Sequence, residues 1–247
     1  LESAALKIVN NVADGGGVVE VGPRALPQFP EVTIDGRPFE KRQDHRLIAP
    51  HSIELERQMF YERSVAALAY VRENRLDRVQ LQGPSDRIGL LAAGKSWVEL
   101  RHALDRLGLG DGELRGAGIR LCKLALVAPL EPQGLREFAK GLREIVVVEE
   151  KRGFIETQLR DALYGMPAPP EIFGKRDARG GILFPAHSEL SADGIALALA
   201  LTMLFWLTFV FFRASGAGEI LPAILAAWAP HAIFLALAGY ITAGLRT

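Results

Sequence analysis

One run of eight residues, Glu144–Lys151, constrains the fold more than any other part of the chain. Its centre, Ile145–Val148, consists of four consecutive β-branched residues, which is typical of a strand buried on both faces inside a parallel sheet. Two carboxylates and a lysine complete the run, so charge is predicted where the strand ends. Apolar residues then recur at helical spacing over 154–164, which predicts an amphipathic helix. Strand, charged turn and helix in this order predict an α/β fold.

The alternation of strand and helix also extends towards the N-terminus. Strands are predicted at 87–93, 118–125 and 146–149, and helices at 97–107, 135–142 and 154–164. The short links between them favour parallel strands joined by right-handed crossovers, with helices on both faces of the sheet. Gly181–Phe184 is a further candidate strand. We interpret residues 86–192 as one three-layer α/β domain with a parallel sheet.

The residues before this domain have a different pattern. Residues 1–50 are predicted to be irregular, with a strand at 18–21 after the glycines at 15–17. Residues 51–85 are interpreted as a helical segment, because apolar residues at helical spacing predict a long helix over 53–74. The first residue is leucine, so we expect the chain to be a fragment of a longer one.

Candidate ligand or subunit contacts follow two of the predicted strands: Gly94, Lys95, Glu149, Glu150 and Lys151. The carboxyl ends of parallel strands meet at one edge of a sheet, so Lys95 and Glu149 are expected along a shared edge. Adjacent strand residues point in opposite directions, so Glu149 and Glu150 cannot act together as an acid–base pair. A structural ion pair and a functional role both stay open for them.

Several kinds of site are disfavoured by the sequence. Gly89–Ser96 matches a phosphate-loop pattern formally, but its middle residues continue a strand, so a strand-end turn is the better interpretation. The five histidines lack metal-ligand spacing, and Cys122 is the only cysteine, which excludes a four-cysteine cluster. The net charge of zero offers no reason to expect nucleic-acid binding. We assign no catalytic residue and no metal site.

The composition changes abruptly after Asp193. Residues 194–247 carry only Arg213, Glu219 and Arg246 as fixed charges. Their two uncharged stretches, 194–212 and 220–245, have 19 and 26 residues, so each can cross a hydrocarbon core of about 30 Å. We predict a transmembrane α-helical hairpin with both ends in the cytoplasm, because basic residues flank its two outer ends. A pair of buried helices in a soluble protein is the alternative.

Many short blocks occur in the same order as in a known enzyme family. In chain order they are Ala66–Tyr70, Asn74–Val79, Ile88–Gly89, Ala93–Ser96, His102–Leu104, Leu107–Gly108, Pro129–Pro132, Glu137–Ala139, Gly141–Leu142, Ile145–Arg152, Glu156–Leu159, Leu163–Tyr164 and Gly174–Lys175. Through them, residues 46–192 resemble a segment of the bacterial indolepyruvate ferredoxin oxidoreductases, which are 2-oxoacid:ferredoxin oxidoreductases. The resemblance implies a transketolase C-terminal-like domain, in agreement with the predicted sheet.

The resemblance also implies the chemistry of the complete enzyme. That family oxidises an aryl 2-oxoacid to an acyl-CoA and reduces ferredoxin, with thiamine diphosphate, magnesium and iron–sulfur clusters as cofactors. This chain shows neither the thiamine diphosphate motif nor the cysteine-rich region, so it is expected to bind none of these cofactors alone. We expect a scaffold and interface domain that borders the active site, is inactive by itself, and has the remaining domains or subunits as partners.

The C-terminal hairpin resembles a second family. Residues 220–231 are similar to the last loop and helix of lipopolysaccharide-export permeases, which end in the cytoplasm. A genuine fusion would anchor a cytoplasmic domain in the inner membrane through 194–245, whereas a chimera of two reading frames would leave it in the cytoplasm. The alternative function is therefore a membrane-anchored component whose soluble domain binds a partner. An α/β domain of unknown role is the third hypothesis.

Overall fold

The N-terminal part of the fold is a small hairpin followed by a long helix. The structure, a computed structural model, describes residues 26–42 and 44–200 and the isolated positions 18, 22, 208, 211, 212, 222, 228, 229, 232 and 233. The hairpin pairs β1 (Thr33–Ile34) with β2 (Arg37–Pro38). The helix runs through α1 (His51–Gln58), a π-helical turn (Met59–Arg63) and α2 (Ser64–Glu73), which confirms the helix predicted over 53–74. Most of the predicted strand at 18–21 lies outside the described residues.

A five-stranded sheet forms the centre of the α/β domain. Its strands are β3 (Arg78–Leu81), β4 (Ile88–Ala93), β5 (Ile119–Leu124), β6 (Glu144–Val148) and β7 (Glu171–Phe173). Their order across the sheet is β3–β5–β4–β6–β7. The four strands from β4 to β7 run parallel, as predicted, and β3 adds an antiparallel edge against β5.

The two outer strands differ from the sequence prediction. β3 buries only Leu81 and β7 buries only Ile172, so neither strand has the apolar pattern that marks the central ones. The strand predicted at 181–184 is wrong, because Ile182 makes only an isolated bridge to Arg176. Asp177 accepts hydrogen bonds from the backbone N–H groups of Arg179 and Gly181, at 2.9 and 2.8 Å, and so closes a turn there instead.

Helices cover both faces of the sheet, which confirms the three-layer arrangement. They are α3 (Gly94–Arg106), α4 (Asp111–Gly116), α5 (Pro132–Ala139) and α6 (Phe154–Leu163). Leu90 of β4 packs with α3 and α4 on one face, whereas Leu91 packs with α5 and α6 on the other. Neighbouring strand residues point to opposite faces, and a continuous apolar strand therefore supplies both cores.

The close packing of β4 against α5 depends on Gly89. A Cβ atom at this position would lie 2.8 Å from Phe138 Cζ and 2.7 Å from Leu142 Cδ1. β4 also continues unbroken to Ala93, where a phosphate loop would have to bend. The prediction that the strand continues through these residues is therefore confirmed, whereas the turn predicted at Gly94–Ser96 is wrong, because these residues form the first turn of α3.

Residues 192–200 form a further helical stretch that packs on the sheet. Ile195 and Leu199 are buried in the same core as Leu90 and Leu104. The first predicted membrane span, 194–212, thus begins inside the α/β domain, because its opening apolar residues cover a sheet face. Most of both predicted spans lies outside the described residues. Among the residues that are described, no helix has the length and apolar character needed to cross a membrane.

A buried ion pair ties together the amino edge of the sheet. Arg120 Nε on β5 donates to Asp86 Oδ2 at 2.9 Å, and both side chains are almost completely buried. Arg120 also donates to the backbone oxygens of Phe138 and Lys140, at 2.5 and 3.1 Å. The backbone N–H of Gly83 bonds to the Asp86 carboxylate. One guanidinium therefore joins β5, the turn before β4 and the end of α5.

Candidate functional site

The carboxyl ends of β4 and β6 form the switch point of this sheet. The two strands are neighbours, with Ala92 opposite Val148. β4 is followed by α3 on one face, and β6 is followed by α6 on the other. Connections that leave neighbouring strands in opposite directions open a crevice between them, which is where ligands bind in open α/β sheets. The predicted residues lie here, because Gly94 and Lys95 follow β4 while Glu149, Glu150 and Lys151 follow β6.

Lys95 and Glu150 meet across this switch point. Lys95 Nζ donates to Glu150 Oε1 at 3.1 Å and lies 3.7 Å from Glu99 Oε1. The hydrogen bond to Glu150 raises the pKa of Lys95. Burial acts to raise the pKa of Glu150, but the hydrogen bonds from Lys95 and from the backbone N–H of Leu190 outweigh it and lower that pKa. Lys95 is half exposed, so the pair contributes about 0–1 kcal/mol to stability.

Glu149 points away from Glu150 and caps α6. It is 6% exposed and accepts hydrogen bonds from the backbone N–H groups of Phe154 (3.0 Å), Ile155 (2.7 Å) and Glu156 (3.0 Å). The first N–H groups of a helix have no partner inside the helix, and a carboxylate also interacts favourably with the positive end of the helix dipole. The predicted opposite orientation of the two carboxylates is therefore confirmed, and Glu149 has a structural role in the start of α6.

The chain itself covers the crevice. Lys151 Nζ donates to the backbone oxygen of Ser188 at 2.8 Å, and the N–H of Leu190 donates to Glu150 Oε1 at 3.3 Å. Phe184 and Leu190 are buried in the core on the α3 face. The segment 184–190 thus crosses the carboxyl edge and occupies the place where an open sheet would receive a ligand.

Two turn residues at this edge have positive φ angles. Gly94 has a φ of +52° and lets β4 pass directly into α3, three residues before the predicted helix start. Lys151 has a φ of 58°, which allows the chain to turn from β6 towards α6. Both residues therefore shape the backbone at the switch point, and the side chain of Lys151 also contacts Ser188.

Sequence reasoning missed Lys175 and Glu156, which complete the hydrogen-bond network at this edge. Lys175 Nζ donates to the backbone oxygen of Glu149, and Glu156 Oε2 accepts from the N–H of Lys175 at 2.9 Å. Burial lowers the pKa of Lys175 despite the carboxylates of Glu149 and Glu156 nearby. The sequence signal for this position was the block Gly174–Lys175. A Cβ atom at Gly174 would lie 2.3 Å from Glu156 Oε2, so the glycine leaves room for this carboxylate.

The side chains of this chain do not supply the thiolates of an iron–sulfur cluster. An iron–sulfur cluster takes several thiolates, whereas the sequence has one cysteine, and burial raises the pKa of Cys122 to about 12. Magnesium takes oxygen ligands, and the part of the chain that the structure describes contains no group of three histidine, cysteine or acidic side chains able to hold a metal.

Known proteins resemble the chain in two segments. The family model described as "Indolepyruvate oxidoreductase domain" matches residues 78–206, and the model described as "Lipopolysaccharide export system permease LptF/LptG" matches residues 181–243. The chain is 22% identical over 196 residues to the indolepyruvate oxidoreductase subunit IorA of Archaeoglobus fulgidus, which covers 79% of this chain and 28% of that protein. It is 31% identical over 97 residues to the subunit of the same name from Pyrococcus abyssi, with coverage of 38% and 14%. The chain thus spans less than a third of the length of these relatives.

Two solved structures are more distantly similar. An inactive β4 tetramer of a split-gene transketolase has a TM-score of 0.35 at 20% identity, covering 50% of this chain and 40% of that one. The 2-oxoglutarate:ferredoxin oxidoreductase of Magnetococcus marinus has a TM-score of 0.38 at 14% identity, covering 62% and 23%. At these scores the structural likeness assigns nothing to this chain. The family match does, because it extends over more than half of the 247 residues and includes the whole sheet. The chain belongs to the indolepyruvate oxidoreductase domain family.

Proposed function

We propose that this chain is the scaffold and interface domain of a 2-oxoacid:ferredoxin oxidoreductase that acts on indolepyruvate. In this proposal the complete enzyme supplies thiamine diphosphate, magnesium, the iron–sulfur clusters and the contact with ferredoxin. The domain borders the active site without containing it, and it is inactive alone. Its family membership and the short share of its relatives that it spans support this division of roles.

The observation that carries the proposal is that the charged groups at the switch point are hydrogen-bonded to other parts of this chain. Glu149 is bonded to the start of α6, and Glu150 is bonded to Lys95. The segment 184–190 lies over the same edge. The hydrogen bonds of Glu149 to α6 and of Glu150 to Lys95 are suited to making this edge of the sheet rigid. A rigid edge of this kind is what a neighbouring catalytic domain needs as a support.

The long helix offers the surface for that neighbour. None of the residues of α1 or of the π-helical turn is buried. Its exposed apolar side chains are Ile53, Met59, Phe60, Tyr61 and Val65. An apolar helix surface of this extent is typical of a protein interface. In this proposal it is covered by the remaining parts of the oxidoreductase.

The experiment compares the isolated chain with the complete oxidoreductase that carries this domain. The isolated 247-residue chain is expected to show no thiamine diphosphate binding by calorimetry and no reduction of ferredoxin or a dye with indolepyruvate. In the complete enzyme, Phe60→Asp is expected to reduce turnover and weaken assembly. Tyr164→Asp, at an exposed aromatic position directly after α6, serves as the control. Turnover by the isolated chain, or equal effects of the two substitutions, would contradict the proposal.

A membrane-anchored component is the second candidate function. The permease model that matches residues 181–243 favours it, with the hairpin over 194–247 in the inner membrane and the α/β domain in the cytoplasm. Because Ile195 and Leu199 are buried in the α/β domain, the first span in this proposal begins after residue 199. Membrane fractions washed with alkaline carbonate test this candidate. Recovery of the full chain in the supernatant without detergent would exclude it.

A further inference from the structure

An open cleft of about 650 Å³ lies between the end of α2, the edge strand β3 and the start of α5. Its lining includes Arg75, Asp77, Arg78 and Glu131. Arg78 pairs with Lys123 near the end of β5, so the cleft opens at the carboxyl edge of the sheet, at the corner away from β7. This is a different place from the covered switch point between β4 and β6.

Three arginines line this cleft, and two of them, Arg75 and Arg78, have no partner among the described residues. Within the described part of the chain, the side chains of Arg75, Arg78 and Lys123 make no ion pair and no hydrogen bond. Arg78 and Lys123 also lie directly opposite each other on antiparallel strands, where like charges are destabilising. Glu131 cannot neutralise them, because it already binds Arg72 at 2.7 Å and the N–H of Gly134 at 2.6 Å.

Arg75 occupies a backbone position that favours glycine. It has a φ of 47° just after α2, and the N–H of Leu76 bonds to the backbone oxygen of Val71 at 3.0 Å. This is the helix-ending motif in which the left-handed residue is usually glycine, because a Cβ atom is unfavourable there. A charged residue in a left-handed conformation at the mouth of a cleft is the kind of strain that clusters at binding sites.

Protection of the sheet edge against pairing with other chains explains only some of these unpaired positive charges. Charged side chains on an edge strand prevent pairing with other chains, which explains Arg78 on β3. It does not explain Arg75, which lies beyond a helix and outside the sheet. The guanidinium group of an arginine can bind two oxygens of a phosphate or a carboxylate at once, and both Arg75 and Arg78 line this cleft.

We propose that this cleft binds an organic oxyanion, a small molecule whose phosphate or carboxylate group contacts Arg75 and Arg78. The cleft volume falls in the range of about 300–1,000 Å³ found for small-molecule sites. The proposal is independent of the function proposed above, since it requires only the isolated domain.

Asp77 also lines the cleft, and its negative charge allows a test of anion binding by the arginines. Its Oδ1 accepts from the N–H of Ala125 at 2.7 Å, while its Oδ2 is buried and has no partner within the described residues. Asp77→Asn keeps an oxygen for the bond to Ala125 and removes one negative charge beside the arginines. Anion binding is therefore expected to become tighter in this variant.

Isothermal titration of the full chain tests the proposal with three probes: inorganic phosphate, adenosine diphosphate and malonate. We expect a phosphate or carboxylate probe to bind, with affinity that falls as salt is added. Arg75→Gly and Arg78→Gln are expected to weaken binding about tenfold each, as the loss of a charge-assisted hydrogen bond does. Arg143→Gln, an exposed arginine at the opposite edge of the sheet, is the matched control.

The variants separate binding from folding. Arg75→Gly relieves the left-handed strain, so its melting temperature is expected to equal or exceed that of the unaltered chain while its affinity falls. Binding of phosphate and adenosine diphosphate alone identifies a phosphoryl ligand, and binding of malonate identifies a carboxylate. The proposal is overturned if no probe binds at millimolar concentration, or if Arg75→Gly and Arg78→Gln bind as tightly as Arg143→Gln.

Discussion

Replacing Glu149 with alanine is expected to destabilise the α/β domain strongly. The substitution leaves the N–H groups of Phe154, Ile155 and Glu156 without their acceptor. The Ile155 N–H is buried, so water cannot take the place of the carboxylate there. The substitution also removes the negative charge at the positive end of α6.

The size of the effect follows from these contacts. Loss of a helix-capping side chain costs about 0.5–2 kcal/mol. A hydrogen bond to a charged group contributes about 1.5–3 kcal/mol, and the three bonds to one carboxylate are not additive. We expect a loss of about 3 kcal/mol in the free energy of unfolding, which lowers the melting temperature by about 6–12 °C for a chain of this size.

Urea unfolding followed by circular dichroism measures the difference, with Glu150→Ala as the control. Glu150 is the adjacent carboxylate, but it bonds to a half-exposed lysine, so its loss is expected to cost about 0–1 kcal/mol. Equal losses for the two variants would refute the assignment of Glu149 as the cap of α6. A variant of Glu149 that stays stable but loses activity in the complete enzyme would refute its structural role as well.

Three further predictions concern buried or half-buried groups of the central strands. Gly89→Ala is expected to cost about 1–3 kcal/mol, because its Cβ atom would lie 2.8 Å from Phe138, and an unchanged urea midpoint would contradict this. Burial and the facing carboxylate of Glu171 raise the pKa of Glu144, so Glu144→Gln is expected to raise stability at pH 7, with a gain that disappears below the unfolded value of about 4.3. Burial raises the pKa of the Cys122 thiol to about 12, so it is expected to react with a thiol reagent at pH 8 only after denaturation, and fast labelling of the folded chain would disprove it.

The central strands could be read from the sequence because each is apolar on both faces. Ile145–Val148 and Leu90–Ala92 are buried by helices on both sides of the sheet, and this leaves a continuous apolar run. The outer strands left no such signal. β3 and β7 each bury one residue, since an edge strand or a short strand contacts less of the core.

The sequence predicted only part of the candidate site, because it locates the ends of strands and not the partners of the side chains there. Positions at the carboxyl ends of β4 and β6 follow from the order of strand and helix, and the shared edge of Lys95 and Glu149 is confirmed by the parallel pairing. The choice of partner does not follow from that order. Glu149 bonds to a helix start five to seven residues later, and Glu150 bonds to Lys95 on another element.

For the apolar residues after Asp193, too, the sequence left open what the tertiary structure decided. Their composition predicted a membrane span, with a buried helix as the alternative, because lipid and a protein core both exclude water. The structure places Ile195 and Leu199 against the sheet, where Phe184 and Leu190 also pack. The family match to residue 206 agrees with this extension of the α/β domain beyond the predicted boundary at 192.

The positions of β4, β5 and β6, their parallel direction and the edge that carries the charged residues were determined by the sequence alone, because hydrophobic periodicity and short links depend on neighbours along the chain. The tertiary structure decided the rest. The antiparallel strand β3, the buried pair of Asp86 and Arg120, and the cleft beside Arg75 each depend on contacts between residues far apart in sequence. Such contacts form only when the folded chain brings those side chains together, so local patterns carry no record of them.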